Sequence, residues 1–246
     1  MMKILYEDKN VIVVLKPAGV LSQPSPTQNA SGETDMLSLV SEYLGNKGSE
    51  VSLIHRLDRG TAGIMLFSKR KATAGKLSEI MSDKERCVKE YLAVISGVPS
   101  ETEGEMCDYL FKDARAGKSF VLSSARKGAK YAQLSYSVIG TAEGEKGPLS
   151  LVCIRLFTGR THQIRVQFSS RGMPIVGDGK YGSRERVRGA DDEGTFASPK
   201  EAFALFAYHL SIRDDKVASF DITEVPNGDI YPFSLFWEQL NQIRKS

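Results

Sequence analysis

The stretch with the most chemistry in it sets one carboxylate between two arginines: Ile54-His55-Arg56-Leu57-Asp58-Arg59-Gly60-Thr61-Ala62-Gly63. Gly60 and Gly63 let a backbone turn tightly and let a ligand come close. A short strand followed by such a turn lifts Asp58 clear of a core. Arg56 and Asp58 stand two apart, so on extended backbone they share a side, while Arg59 points elsewhere. A second charged group lies in Leu156-Phe157-Thr158-Gly159-Arg160-Thr161-His162-Gln163-Ile164-Arg165. His162 and Arg165 are three apart, so one helical face presents both, and Thr158 or Thr161 can cap that helix. Placed beside Asp58, Arg165 would favour the charged carboxylate and aim it. A charged aspartate serves as a nucleophile rather than an acid. Two plainer readings stay open at this point: an Arg–Asp pair that holds a turn, and a surface helix with ordinary ion pairing.

Other chemistries find little footing. No Ser or Cys stands in the company of a His and a carboxylate that a hydrolytic triad needs. A two-carboxylate hydrolase could draw on Asp58, Asp178 and Glu90, but nothing in the sequence pairs them. Cys87, Cys107 and Cys153, with His55, His162 and His209, show neither disulfide nor metal spacing, so no metal is expected. No strand-to-GxGxxG unit and no phosphate-binding loop occurs, so no nucleotide cofactor is expected. Tyr91, within Val88-Lys89-Glu90-Tyr91-Leu92-Ala93-Val94, is a core residue by default. Lining a cleft, it would stack on a base and offer one hydroxyl.

The 246 residues, 41% apolar and 26% charged, suffice for one large domain with a core of its own. There is no apolar run of membrane-spanning length and no signal core at the start, so a cytoplasmic protein is expected. The net charge is only +3. Yet Arg155–Arg188 holds eight Lys or Arg against two acids, and Gly189–Glu238 three against ten. Such polarity suits a basic face for a polyanion, or equally a solvated loop beside an acidic surface.

Periodicity predicts the elements that must position these groups. Strands are expected over Asn10–Leu15, stopped by Pro17, and over Val51–Ile54, Ile64–Phe67, Tyr91–Ile95, Gln133–Ile139, Leu149–Phe157 and Phe220–Val225. Helices are expected over Asp35–Leu44 with Thr34 as cap, Lys71–Ser82, Thr161–Ser169, and Pro232–Ile243 with Trp237 packed inward. Leu21–Gly32 and Gly45–Glu50 read as loops, Gly140–Pro148 as a hairpin-like loop, and residues 99–130 as polar chain with short strands at best. Residues 184–200 read as a charged loop insertion, and Ala202–Leu210 stays ambiguous. Many strands with dispersed helices argue for an α+β fold around a mixed or antiparallel sheet.

Three segments together resemble the RluA-type pseudouridine synthases. Their HRLDxxTSG hallmark is matched by His55–Gly63, LxTGRxHQIR by Leu156–Arg165, and the GDxxYG turn by Gly177-Asp178-Gly179-Lys180-Tyr181-Gly182. Lys16-Pro17-Ala18-Gly19 and the segment ending in Tyr91 also fit, in the family's order. The resemblance implies the family's catalytic fold, with flanking helices and an RNA-binding cleft, as one catalytic domain over residues 1–246. It implies conversion of uridine to pseudouridine within transfer RNA, ribosomal RNA or both, with no cofactor and no partner but RNA; a monomer is expected. By the same resemblance Asp58 is the nucleophile, Tyr91 stacks on the target base, Arg165 pairs with the carboxylate, and Arg56 holds the RNA after the uridine flips out. Further substrate contacts are expected from His55, Arg59, Thr61, Arg160, His162 and Gln163. Turn roles are expected for Gly60, Gly63, Gly177, Asp178 and Tyr181. Ala62 stands where the family usually has serine, a change expected to matter little. The likeness starts within ten residues of Met1, so the small S4 RNA-binding domain that members often carry is not expected here. An RNA-binding protein of the same fold with lapsed catalysis is the alternative.

Overall fold

A computed structural model of the chain describes residues 2–24, 33–45, 50–189 and 202–245. In chain order these form β1 (Lys3–Glu7), β2 (Val11–Lys16), α1 (Met36–Leu44), β3 (Ser52–Leu53), β4 (Ala62–Ser68), α2 (Lys71–Ile80), β5 (Cys87–Ser96), β6 (Glu103–Asp113), β7 (Lys118–Leu122), β8 (Lys130–Gly144), β9 (Gly147–Leu156), α3 (Gln163–Ser169), β10 (Leu205–Asp214), β11 (Ala218–Thr223) and α4 (Trp237–Lys245). All eleven strands join one sheet, ordered β1-β2-β4-β10-β5-β9-β8-β6-β7, with β3 paired to β4 and β11 to β10. The β10–β4 pair is parallel and the other named strand pairs are antiparallel, so the sheet is mixed and the fold α+β, as expected.

The apolar runs explain the middle of the sheet. β2 and β4 are buried at every position, because both faces are covered. Ile12, Val14, Met65 and Phe67 join the larger core with Met36 and Val40 of α1. Val11, Val13, Ile64 and Leu66 join a smaller core with Leu77 and Ile80 of α2. One row across the sheet places the site: Gly63 lies opposite Ala207, Ala207 opposite Tyr91, and Tyr91 opposite Ile154. The head of β4 and the middle of β5 are thereby two strands apart, bridged by β10.

Several expectations need correction. In residues 99–130 β7 is a short strand of the expected kind, but β6 is eleven residues long. β6 alternates so regularly between buried Met106 and Leu110 and exposed Glu105 and Tyr109 that only its polar outer face masks it. The hairpin-like loop expected over 140–148 is indeed the end of the β8–β9 hairpin, but the strands run further into it than expected, paired out to Gly144 and Gly147. The ambiguous 202–210 stretch feeds β10, a central strand. Asp35, not Thr34, caps α1, accepting from Ser38 N at 3.0 Å. Trp237 is 49% exposed and lies over Gly228; the buried positions are Phe233, Phe236 and Leu240, a helical stripe that leaves Trp237 outside it. Parts of the expected loops, residues 25–32 and 46–49, lie outside the described residues, as do 190–200 of the expected insertion. In the described part of that insertion Glu185 and Val187 are buried, and Arg188 exchanges backbone hydrogen bonds with Tyr231. Among the described residues, no helix is long and apolar enough to cross a membrane.

Candidate active site

The segment before β4 is pinned by its neighbours. His55 Nε2 accepts from Leu66 N at 3.0 Å. Ser22 Oγ accepts from Leu57 N at 3.1 Å and donates to Leu57 O at 2.7 Å. Thr61 N closes a turn onto Asp58 O at 3.0 Å. The fully buried Lys16 donates to the carbonyls of Pro17, Val20 and Arg59, at 2.8, 2.7 and 3.0 Å. Burial pushes its pKa down to about 7, while three carbonyl acceptors match the three donors of an ammonium. Asp58 thus projects from a well-pinned backbone, its side chain 29% exposed.

Arg165 reaches it from α3. Nη1 donates to Asp58 Oδ2 at 2.7 Å. Nε and Nη2 donate to Oδ2 and Oδ1 of Asp178, at 2.6 and 2.9 Å. The guanidinium also lies 4.3 Å from the Phe203 ring centroid and 5.0 Å from that of Tyr181. Burial works against the arginine's charge, but the bonds to Asp178 and the charge of Asp58 outweigh it, and its pKa is raised. α3 starts at Gln163. Neither expected threonine caps it; Thr158 instead donates to Gln163 Oε1 at 2.8 Å. The cap position is His162 in the left-handed region, φ 55°, a conformation histidine tolerates better than bulkier residues. That bend turns its ring back, with Nδ1 2.8 Å from Tyr181 Oη and Nε2 3.9 Å from Asp58 Oδ1. Burial lowers the His162 pKa, so the ring is neutral near pH 7.

Asp58, Tyr91 and Arg165 line one pocket of about 110 Å³, with Arg56, Leu57, Thr61, Leu156, Arg160, His162, Gln163, Ile164 and Leu205. A wider groove of about 610 Å³ continues along His55, Arg56 and residues 156–162. Tyr91 is 8% exposed, and burial first, then the charge of Asp58, pushes its pKa above the ordinary tyrosine range. Its hydroxyl therefore stays protonated. Arg56 is exposed at the rim. Arg160 faces the pocket but hands its Nε to Tyr131 O, at 2.8 Å. Gln163 is 3% exposed and spends its amide on Thr158, Arg160 N and Gln133 O.

Some expected residues lie elsewhere. Arg59 turns to Gly19 O and Glu33, at 3.0 and 3.1 Å, away from the pocket lining. Gly63 and Gly177 have positive φ, and a Cβ on either would sit 2.3 Å from Ala207 O or 2.6 Å from Ala202 O. The close approach at these glycines is therefore to β10 and its lead-in, not to a ligand. Asp178 does stand in the turn, its carbonyl accepting from Tyr181 N, but its side chain is 1% exposed and committed to Arg165. Glu90 bonds Tyr208 and His209, and the His209 bond foremost holds it below the usual carboxylate range. Neither carboxylate faces Asp58 across the pocket, so the pair a glycosidase needs is not assembled. Sequence reasoning misses Phe203, Leu205 and Ser22; an aromatic, a leucine and a serine carry no local signal of such places. What the site offers is one carboxylate aimed by a fixed cation, a protonated tyrosine beside it, and a cationic rim.

Residues 10–170 match the RNA pseudouridylate synthase family. The chain is 32% identical over 182 residues to "Ribosomal large subunit pseudouridine synthase C" of Rickettsia felis, covering 74% of this chain and 56% of that one. It is 32% identical over 248 residues to "Ribosomal large subunit pseudouridine synthase D" of Borreliella burgdorferi, covering 98% and 71%. The chain thus spans little more than half the length of the first of these relatives. The structure titled "Human RNA Pseudouridylate Synthase Domain Containing 1" superposes with a TM-score of 0.69 over 100% of this chain and 96% of that one, at 22% identity, which is a likeness of fold.

Proposed function

This chain belongs to the RNA pseudouridylate synthase family, and from that premise we propose that it isomerises uridine to pseudouridine within structured RNA. The observation that carries the reading is the contact of Arg165 Nη1 with Asp58 Oδ2, at 2.7 Å, in a pocket that Tyr91 also lines. The uridine leaves its stack to enter the pocket. Flipping costs about a few kcal/mol and least in an unpaired loop, so the substrate class is a short stem-loop of ribosomal or transfer RNA. The two bacterial relatives carry ribosomal large-subunit names, which favours ribosomal RNA. In the reaction the N1–C1′ bond breaks, the uracil turns while held, and C5 joins C1′; C5 loses its proton and N1 gains one. Asp58 is the nucleophile, aimed by Arg165. Tyr91 packs against the base with its hydroxyl protonated. Arg56 and Arg160 meet the phosphates at the rim. His162, bonded to Tyr181, fixes the side of the pocket beside Asp58. The protein works as a cytoplasmic monomer, one catalytic domain over residues 1–246.

The test uses the purified chain and cellular RNA labelled with tritium at uridine C5. Forming the C5–C1′ bond expels that hydrogen, so tritium should appear in water, from the intact protein and not from Asp58→Asn. RNA binding without tritium release from any cellular RNA would contradict the activity and leave an RNA-binding protein of the same fold.

A further inference from the structure

We propose that the open face of β6, β7 and β8 is a stacking platform for unpaired nucleotides flanking the uridine that enters the pocket; the proposal rests on RNA being the substrate. Three of the large hydrophobic residues that are conspicuously exposed, Tyr109 (38%), Phe120 (45%) and Tyr131 (43%), come from these strands. The register puts them on one face. Tyr109 lies opposite Tyr131 on one side and Leu122 on the other, and Phe111 opposite Phe120. Directly paired residues of antiparallel strands point to the same face of a sheet. The other face of β6 carries Met106 and Leu110, which are buried. Exposed rings in one patch are costly to a monomer unless something covers them.

Charge says what covers them. Of the six Lys or Arg from Lys112 to Lys130, Lys112 and Lys130 share the other face with Leu110 and Lys118 reaches the Tyr181 ring, while Arg115, Arg126 and Lys127 stand in the turns at the ends of β7, against one acid, Asp113. Arg126 folds over the Phe111 ring at 4.8 Å on this same face. Aromatic rings interleaved with cations suit a nucleic-acid strand, since every base has a face to stack and every nucleotide a phosphate. They suit a second copy of the chain poorly, because a two-fold contact would set like charges against like. Stacking needs bases out of a duplex, so the platform takes loops or single strands rather than A-form helix. It ends where Glu105, on the same face, accepts from Gln133 at 3.3 Å. The patch borders the pocket along β8: Arg160 and Gln163 line the pocket, and they donate to the carbonyls of Tyr131, at 2.8 Å, and Gln133, at 3.1 Å. A strand lying on the rings therefore runs up to the place where the uridine turns in.

The experiment measures binding of a labelled oligouridine, and of an RNA duplex of equal length, to the full chain across a salt series. Phe120→Leu and Tyr131→Leu keep apolar bulk and lose the ring. Each should weaken oligouridine binding about ten-fold, the loss of one stacked base, with an unchanged salt slope, unchanged thermal unfolding and little effect on the duplex. Phe120→Trp should bind at least as tightly as the parent. Arg126→Gln should instead flatten the salt slope by about one. Unchanged oligouridine binding in both leucine variants would overturn the platform. So would an equal loss for duplex, or a dimer in sedimentation that Phe120→Leu dissociates, which would make this face a self-association surface. Asp58→Asn should bind oligouridine like the parent. Ring-dependent binding without tritium release from cellular RNA would sink the proposed activity and leave the platform standing. Full tritium release at unchanged kcat/KM in the ring variants would do the reverse.

Discussion

Asp178 accepts two hydrogen bonds from Arg165, at 2.6 and 2.9 Å, and so fixes the plane in which the arginine's remaining nitrogen meets Asp58, at 2.7 Å. The side-on pairing is the strong and directional form of this ion pair. Asp178 does not line the pocket, so in the proposed reaction its part runs through Arg165.

Removing that grip should cost both stability and rate. Asp178→Ala leaves a buried guanidinium with one partner instead of two, which should destabilise by about 3 kcal/mol. Turnover should fall on the order of 10- to 100-fold, in the range of other groups that orient a reacting one. Urea denaturation and kcat measured on the same preparation check both. Full kcat in Asp178→Ala would show that Asp58 needs no such support.

Tyr91 offers a ring and a hydroxyl, and one substitution separates them. Tyr91→Phe should bind RNA as the parent does and lose about 100-fold in kcat, the usual weight of a positioned proton donor or acceptor. Burial and the charge of Asp58 hold its pKa above the ordinary range. The rate profile of the parent should therefore show no tyrosine ionisation on the alkaline side up to about pH 10. An unchanged kcat in Tyr91→Phe would reduce the residue to its ring.

His55 makes a pH prediction of definite sign. Burial, then Lys89, pushes its pKa down to about 4 from 6.5, and the neutral ring accepts from Leu66 N. Between these values the unfolded chain binds more protons than the folded one. The contribution of His55 is therefore complete above pH 6.5 and lost as pH falls through about 4. The shift corresponds to on the order of 3 kcal/mol. Unfolding free energies across this range should fall more steeply for the parent than for His55→Gln. Parallel curves would contradict the assignment.

Gly63 should tolerate no side chain. Its φ is +125°, and a Cβ would stand 2.3 Å from Ala207 O and 2.5 Å from Ala207 N. Gly63→Ala should lose at least about 3 kcal/mol through overpacking and strain. At Gly159 a Cβ would meet no atom within 4 Å, so alanine there should be accepted within about 0.5 kcal/mol. Equal stability of the two variants, by denaturant unfolding, would refute the close approach of β4 and β10.

The charged motifs are readable because their spacing is local. Asp58 with Arg56, and His162 with Arg165, each sit within one short segment, and the RluA-type likeness joins the two. The partners that make the site work come from distant chain. Asp178 reads as a turn residue because its glycines dominate the pattern, and only the fold brings its carboxylate to Arg165. Phe203 and Leu205 stand in a stretch whose continuous apolar run fits a strand or a helix equally, and the sheet decides for β10. The length of β6 is hidden because an outer face of Glu, Cys and Tyr breaks the expected apolar signal. Trp237 is expected inside for its size alone, whereas the helical stripe of Phe233, Phe236 and Leu240 already fills that face.

The most direct test is a map of pseudouridine in total RNA from cells lacking the gene, complemented with the intact protein or with Asp58→Asn. At least one uridine should be modified only with the intact protein, while Asp58→Asn, present at the same level and still binding RNA, modifies none. Equal modification by Asp58→Asn, or no site that depends on the intact protein, would contradict an aspartate-driven pseudouridine synthase.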